Sequence, residues 1–204
     1  DMARDTEALQ ARRSDHPMLT PTDLRDITRL YMGARMAEAG AFPPSPLRAG
    51  SLAGLPPAVI ALAGHDPLFG EGSAYASRLA EAGVPVQRLC FGDMFHPFLG
   101  FFQVSQAARR ASDSICQAFA DCLVALVVDF AVWANRPTGV IDRDKAHWLV
   151  TTLSAGEGPS PTAQRIAFEI VREAEHCDEL LLSFAFAKGA AKSARAAHRV
   201  LLAS

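Results

Sequence analysis

The sequence predicts an α/β domain of the doubly wound type, followed by a small helical segment. Short apolar runs at 58–64 and 84–91 are bounded by Gly and Pro, as buried parallel strands are. Apolar residues recur at helical spacing in 20–39, in 71–82 and from about residue 104 onward. Helix, strand, helix, strand and helix therefore alternate along the chain, which is typical of an open sheet with helices on both faces.

Each of these elements has its own start or stop signal. The first helix is expected to be capped by Thr20-Pro21 or by Thr22, since a threonine oxygen accepts a hydrogen bond from a free N–H of the first turn. Gly83 follows the second helix where a left-handed cap belongs. Pro85 cannot donate to a ladder, so the second strand begins there or lies at a sheet edge. Because two strands alone do not form a stable sheet of this type, the sheet is predicted to be partial.

A second helical region follows the segment "ANRPTG" at 134–139. A weak helical pattern covers 142–153, and "SAGEGPSP" is a linker. Ser160 is expected to cap the next helix, with Pro161 at its first position. One apolar stripe then runs through Ile166, Ile170, Ala174, Cys177, Leu181 and Phe184. A single stripe of this kind predicts one amphipathic helix that packs against another element.

These patterns divide the chain into two predicted domains, 1–134 and 140–204. The first is the α/β domain. The second is a helical extension that ends in a basic tail, and we expect it to contain no strand between 162 and 182.

The charge balance argues against a nucleic-acid partner. The formal net charge of the 204 residues is −2, so no basic footprint for a phosphate backbone is present. Only the tail is locally basic, through Lys188, Lys192, Arg195 and Arg199. A short basic end of this kind is most often solvated, and we expect no nucleic-acid contact there.

Cysteine usage and hydropathy predict a cytoplasmic protein without a membrane span. The four cysteines are scattered through apolar segments, and none forms a C-x-x-C pair, which favours reduced core thiols. The first twenty residues are charged and polar, unlike a signal peptide. The most apolar run, 118–134, contains Asp121 and Asp129 and is shorter than the roughly 20 residues that a membrane helix needs.

Two chemically active side chains follow the two predicted strands. Asp66 lies in "GHDPLFGEG", just past the first strand, and His96 lies in "FGDMFHPFLG", just past the second. Ligand sites of open α/β sheets form outside the carboxyl ends of the strands, so both side chains belong to one rim. A carboxylate beside an imidazole orients it as a general base. The alternatives are a turn-forming Asp-Pro and a space-filling histidine, and His65 is expected to be structural.

Three stretches of the sequence resemble a known family. "DHPMLTPTDL", "SPLRAGSLAGLPPAVIALAGHDPLFGEGSAYASRLAEAGVPV" and "GDMFHPFLGFFQVSQAARRA" are similar to the C-terminal half of hormone-sensitive-lipase-like α/β-hydrolases (alpha/beta hydrolase fold-3 esterases), over residues up to about 125. The resemblance implies a partial α/β-hydrolase sheet with the last strands and helices only. It also implies carboxylic-ester hydrolysis, with Asp66 as triad acid and His96 as triad base.

The same resemblance implies that Phe95, Phe98 and Phe101 flank the substrate pocket, together with Phe102, although a phenylalanine-rich turn is equally good core. Two departures stand out. Pro97 replaces the glycine that usually follows the histidine. No serine in the sequence has glycines two positions before and after it, and no HGG segment is present for an oxyanion hole.

Two functional hypotheses follow. The first is an acid-and-base portion of a carboxylesterase, which acts on a small-molecule ester when a missing N-terminal half or complementing chain completes it. The second is an inactive remnant that binds a partner or forms a homo-oligomer. The sequence beginning, "DMARDTEALQ", is similar to the segment just after the sixth strand of that fold, so we expect a fragment. No histidine pair has ligand spacing and no Gly-rich loop follows a strand, so neither a metal nor a cofactor is predicted.

Overall fold

The computed structural model describes residues 18–156 and 158–187. The predicted basic tail after residue 187 lies outside the described residues. Contacts divide the chain into two compact units between Phe119 and Ala120.

The first unit contains the predicted alternation of helices and strands. Its elements are α1 (Pro21–Met32), β1 (Ala58–His65), α2 (Phe69–Glu81), β2 (Val86–Phe95) and the first part of α3 (Gln106–Val128). Short 3₁₀ turns lie at Gly33–Glu38, Pro46–Arg48 and Phe98–Phe101. The α/β class predicted from the sequence is therefore confirmed.

Helix α1 begins at the predicted cap. The Thr20 hydroxyl accepts from the Asp23 N–H, and the Asp23 carboxylate accepts from the Thr20 N–H at 2.8 Å. The Thr20 hydroxyl and then the Thr20 N–H hold the pKa of the Asp23 carboxyl below its ordinary value. The helix ends at Met32, earlier than the predicted Ala39, because Gly33 adopts φ 51° there. The apolar spacing continues past that point in a 3₁₀ turn, which a helical pattern does not distinguish.

The two strands pair in parallel within the described residues. The register runs from Ala58 opposite Val86 to Ala63 opposite Phe91. After an irregularity, His65 pairs with Phe95, so β2 extends four residues beyond the predicted strand. The left-handed glycine predicted after α2 is confirmed, since Gly83 has φ 79°.

Two small cores cover opposite faces of this sheet. On one face, Leu79 of α2 packs with Val84, Leu52 and Ala49, and Ala58 and Ile60 of β1 lie against them. The other face has a core of Ala63, Phe98, Ala108 and Ala111, with Phe91 packed against it. Because successive strand residues face opposite sides, this arrangement places α2 and the start of α3 on opposite faces.

The second unit is built around one larger apolar cluster. Its elements are the rest of α3, a π-helical extension at Asp129–Ala134, β3 (Val140–Ile141), α4 (Arg143–Leu153), α5 (Pro161–Glu173), β4 (His176–Cys177) and α6 (Glu179–Ala185). The largest fully buried side chains of the cluster are Val132, Ile141, Leu149, Ile170 and Leu181. The predicted start of α5 is confirmed, since Ser160 accepts from the Ala163 N–H and Pro161 is the first helical residue.

The predicted absence of a strand in this unit is wrong. β4 pairs in parallel with β3, Val140 opposite His176 and Ile141 opposite Cys177. The single stripe predicted from Ile166 to Phe184 is therefore interrupted. Helix α5 ends at Glu173, and Asp178 begins α6 by accepting from the Leu180 N–H. The Asp178 cap and the pairing with β3 satisfy backbone groups that the end of α5 and the start of α6 leave without helical partners.

The boundary between the units also differs from the sequence-based prediction. The second half of α3 contributes Val124 and Val128 to the second cluster, so the division falls inside the helix. The Pro- and Gly-containing segment 134–139 is instead a turn within the second unit. Gly139, at φ 74°, donates to the Val132 carbonyl and accepts from the N–H groups of Glu175 and His176.

The helical stretch Gln106–Ala134 is longer than the apolar run identified in the sequence. It has 29 residues, and one 18-residue window reaches a mean hydropathy of 2.0 with 28% of it buried. By length and composition it could cross a membrane, so the length argument against a span does not hold. A core helix meets the same criterion, and the absence of a span stays a prediction.

Cys177 provides a pH-dependent prediction for the second unit. Burial raises the pKa of the Cys177 thiol, and the adjacent Asp178 carboxylate raises it further. A raised pKa keeps the thiol of the folded chain protonated as pH rises. Its contribution to the free energy of unfolding is therefore fully present below the pKa of the unfolded chain and is lost as pH rises through the pKa of the folded chain. Iodoacetamide is expected to label the exposed Cys90 and Cys116 before Cys177, as read from peptide masses. Equal labelling rates for Cys90 and Cys177 in the folded chain would contradict this.

Candidate functional site

Asp66 stands at the junction of β1 and α2. It directly follows His65, the last residue of the strand, and its backbone carbonyl accepts from the Phe69 N–H at 3.0 Å. One carboxylate oxygen, Oδ1, accepts from the Leu68 N–H at 2.8 Å. The turn-forming role considered for this Asp-Pro pair is therefore present, and it uses only one of the two carboxylate oxygens.

The second oxygen of Asp66 faces the histidine. His96 directly follows β2, and its Nδ1 lies 2.9 Å from Asp66 Oδ2. The predicted contact at the carboxyl ends of two adjacent parallel strands is therefore confirmed. An ionised carboxylate can only accept a hydrogen bond, so Nδ1–H is the donor, and in the neutral form of the ring Nε2 then keeps its lone pair. Pro97, which departs from the family pattern, does not prevent this contact.

The pair is partly open to solvent on the histidine side. The Asp66 side chain is 15% exposed and that of His96 is 40% exposed. A sheltered carboxylate beside an accessible imidazole suits a base whose Nε2 must reach a reacting hydroxyl. His65, one residue before Asp66, is exposed and pairs in the ladder with Phe95, which agrees with the structural role expected for it.

A cavity of about 590 Å³ opens beside the pair. Asp66 and His96 both line it, together with a third ionisable residue, Glu71. Most of the remaining wall is apolar and includes Ile60, Leu62, Leu68, Phe69, Tyr75, Phe98 and Leu99. The cavity has the size and composition of a small-molecule site, which typically combines apolar walls with a few polar groups.

Only one of the four predicted pocket phenylalanines lines this cavity. Phe98 does so, and it is also 8% exposed and packed with Ala63 as core, while its contact with substrate stays a prediction. Phe95, Phe101 and Phe102 are not in the lining. The rings of Phe95 and Phe101 pack edge to face, with centroids 5.6 Å apart. They shape the turn after β2, and their substrate role stays a prediction without support from this cavity.

The sequence analysis did not identify two cavity-lining residues that lie close to Asp66 in the chain. Leu68 and Phe69 directly follow the turn formed by Asp66, so their position at the strand end was a usable signal. Tyr75 lies one and a half turns further along α2, and no local pattern marks it.

The arrangement places an imidazole against a carboxylate, as a base and its orienting acid are placed in a catalytic triad. No serine lines the cavity among the described residues. Within 18–156 and 158–187, no group of three or more His, Cys, Asp or Glu side chains is placed to hold a metal ion. The chemistry available to these residues is proton transfer to and from a hydroxyl held near His96 Nε2.

Comparison with known proteins is consistent with this geometry. Residues 1–100 match the family described as alpha/beta hydrolase fold. Esterase LipI of Mycobacterium tuberculosis is 38% identical over 103 residues, which cover 50% of this chain and 32% of LipI. Carboxylic ester hydrolase LipN of the same organism is 43% identical over 74 residues, or 36% of this chain and 20% of LipN.

A solved structure, esterase LipW from Mycobacterium marinum, aligns with a TM-score of 0.47 at 30% identity, over 55% of this chain and 36% of that one. The chain spans about a third or less of the length of LipI and LipN. The match to the family and the two parallel strands with flanking helices agree on the same fold. Residues 1–100 therefore match the alpha/beta hydrolase fold, of which the described residues contain a partial sheet of two parallel strands.

Proposed function

We propose that this chain supplies the catalytic acid and base of a carboxylic-ester hydrolase. The observation that carries the proposal is the 2.9 Å contact between His96 Nδ1 and Asp66 Oδ2 beside an apolar cavity. A hydroxyl nucleophile would come from a segment outside this sequence, since no serine here has the glycine pattern of a nucleophile elbow.

In this proposal His96 moves one proton in each half of the reaction. Nε2 takes the proton from the attacking hydroxyl as the new acyl–oxygen bond forms, and then gives it to the leaving alcohol as the ester bond breaks. Water repeats the sequence to release the acid. Asp66 keeps Nδ1–H in place and stabilises the imidazolium while it carries the proton.

The cavity supports an ester with an apolar acyl or alcohol group as substrate. Its apolar wall offers no charged partner beyond Asp66, Glu71 and His96. Burial of a hydrocarbon group there would contribute about 25 cal/mol for each Å² removed from water. Phe98 would form part of that wall.

A second candidate function is binding without catalysis. Helix α1 exposes three large side chains, Ile27, Leu30 and Tyr31, at 49%, 77% and 62%. Apolar side chains exposed together on one helix mark an association surface. A chain that uses this surface to self-associate would form homo-oligomers in native mass spectrometry, which a soluble monomeric hydrolase subunit would not.

The two functions are separated by labelling with a fluorophosphonate probe, which reacts only with an activated serine. The chain alone is expected to remain unlabelled. The chain mixed with the part of LipI that the sequence match leaves uncovered is expected to give labelling on the LipI serine, dependent on His96. Stoichiometric labelling of a serine in this chain alone, or equal labelling with and without this chain, would overturn the proposal.

A further inference from the structure

The register between β1 and β2 changes just before Asp66 and His96. Six pairs are in regular register, up to Ala63 opposite Phe91, and the next pair is His65 opposite Phe95. Between these pairs β1 has one residue, Gly64, where β2 has three, 92–94. Two residues of β2 are therefore extra, and they form a bulge.

This bulge sets which residues meet at the strand ends. A regular continuation would place Asp66 opposite Met94, and His96 would lie two residues further along. At about 3.3 Å per residue, the imidazole would be roughly 7 Å out of step with the carboxylate. With the bulge, the step after His65 and Phe95 brings Asp66 level with His96, where the 2.9 Å contact forms.

Gly64 is the residue that makes room for the bulge. A Cβ at position 64 would lie 2.7 Å from the Gly92 carbonyl carbon and 2.8 Å from Gly92 Cα, with the carbonyl oxygen closer still. All three are backbone atoms, which cannot rotate aside as a side chain does. Gly92 lies on β2, where it faces Gly64, and a Cβ at Gly92 would meet no atom within 4 Å. Only position 64 therefore requires a glycine for this close contact between the strands.

We infer that Gly64 is a positioning residue for the Asp66–His96 pair. Any side chain there displaces the bulge of β2, and with it the level at which His96 meets Asp66. The inference rests on the proposed function for its catalytic consequence. The positioning itself concerns only the contact between the two side chains, and it can be tested without activity.

The test is ¹⁵N NMR of the His96 ring in the full chain, recorded as the pH is raised until the ring ¹⁵N shifts no longer change. The unaltered chain is expected to show the Nδ1–H tautomer, because Asp66 accepts from Nδ1. Gly64→Ala is expected to lose this signature, as Asp66→Ala does. Gly92→Ala is the matched control and is expected to retain it. Retention of the signature in a folded Gly64→Ala chain would overturn the inference.

A second variant covers the case in which Gly64→Ala does not fold. Deletion of Gly92 and Asp93 removes the two extra residues while keeping the alternation of faces, so Asp66 and His96 remain level. In that background Gly64→Ala has no bulge to displace and is expected to regain the Nδ1–H signature. Failure to regain it would show that position 64 acts by another route, and the inference would be wrong.

The effect on catalysis is measured separately, in this chain mixed with the part of LipI that the sequence match leaves uncovered (the complemented enzyme). A misplacement of about 1 Å can cost roughly 100-fold in rate, so Gly64→Ala is expected to slow fluorophosphonate labelling by about that factor, and Gly92→Ala is not. Loss of the NMR signature without any effect on labelling would contradict the proposed function but leave the positioning intact. Loss of both supports the two together.

Discussion

His96→Ala in the complemented hydrolase is expected to lower kcat by at least about 10³-fold with little change in KM. His96 lines the cavity with its Nδ1 against Asp66, which leaves Nε2 as the ring nitrogen placed to accept the nucleophile's proton. Asp66→Asn is expected to lower kcat by about 10⁴-fold, because an amide favours the wrong ring tautomer. Initial rates with a short-chain p-nitrophenyl ester measure both effects.

His65→Ala is the matched control for this experiment. His65 is adjacent to Asp66 in the chain, yet it is exposed and does not line the cavity. Its replacement removes a histidine from the same strand end without touching the pair, so kcat is expected to stay within about twofold, as for an exposed residue without a role. A large loss from His65→Ala, or a small one from His96→Ala, would show that the wrong histidine has been assigned.

The sequence was sufficient to find the pair but not its alignment. Two apolar runs, followed by Asp66 and by His96, predict that these residues share the rim of a parallel sheet, because the carboxyl ends of parallel strands meet at one edge. The bulge between Gly64 and 92–94 carries no comparable signal. A bulge depends on how two distant segments pair, and a glycine in a strand marks only that something comes close.

The helical unit shows a different limit. The apolar stripe from Ile166 to Phe184 keeps helical spacing across two breaks, because residues on both sides face the same core. Periodicity therefore identified residues that contact this core, three of them buried and three partly buried, while it missed β4. The signal for the break was local: Asp178 is an N-cap residue in the middle of the stripe.

Leu181→Ala is expected to destabilise the second unit by about 3 kcal/mol, within the range of about 2–5 kcal/mol for fully buried leucines. Leu181 is 0% exposed and lies in the cluster with Ile170 and Leu149, where a cavity left by the lost methyl groups cannot be filled by water. Urea unfolding followed by circular dichroism should show a lower midpoint.

Leu180→Ala is the control, since Leu180 is the neighbouring helical residue, has the same chemistry and is 39% exposed. Its cost is expected to be smaller, at about 1 kcal/mol, because 39% of its surface is already in water. Equal midpoints for the two variants would show that α6 does not pack through Leu181, and that the second cluster is held without this helix.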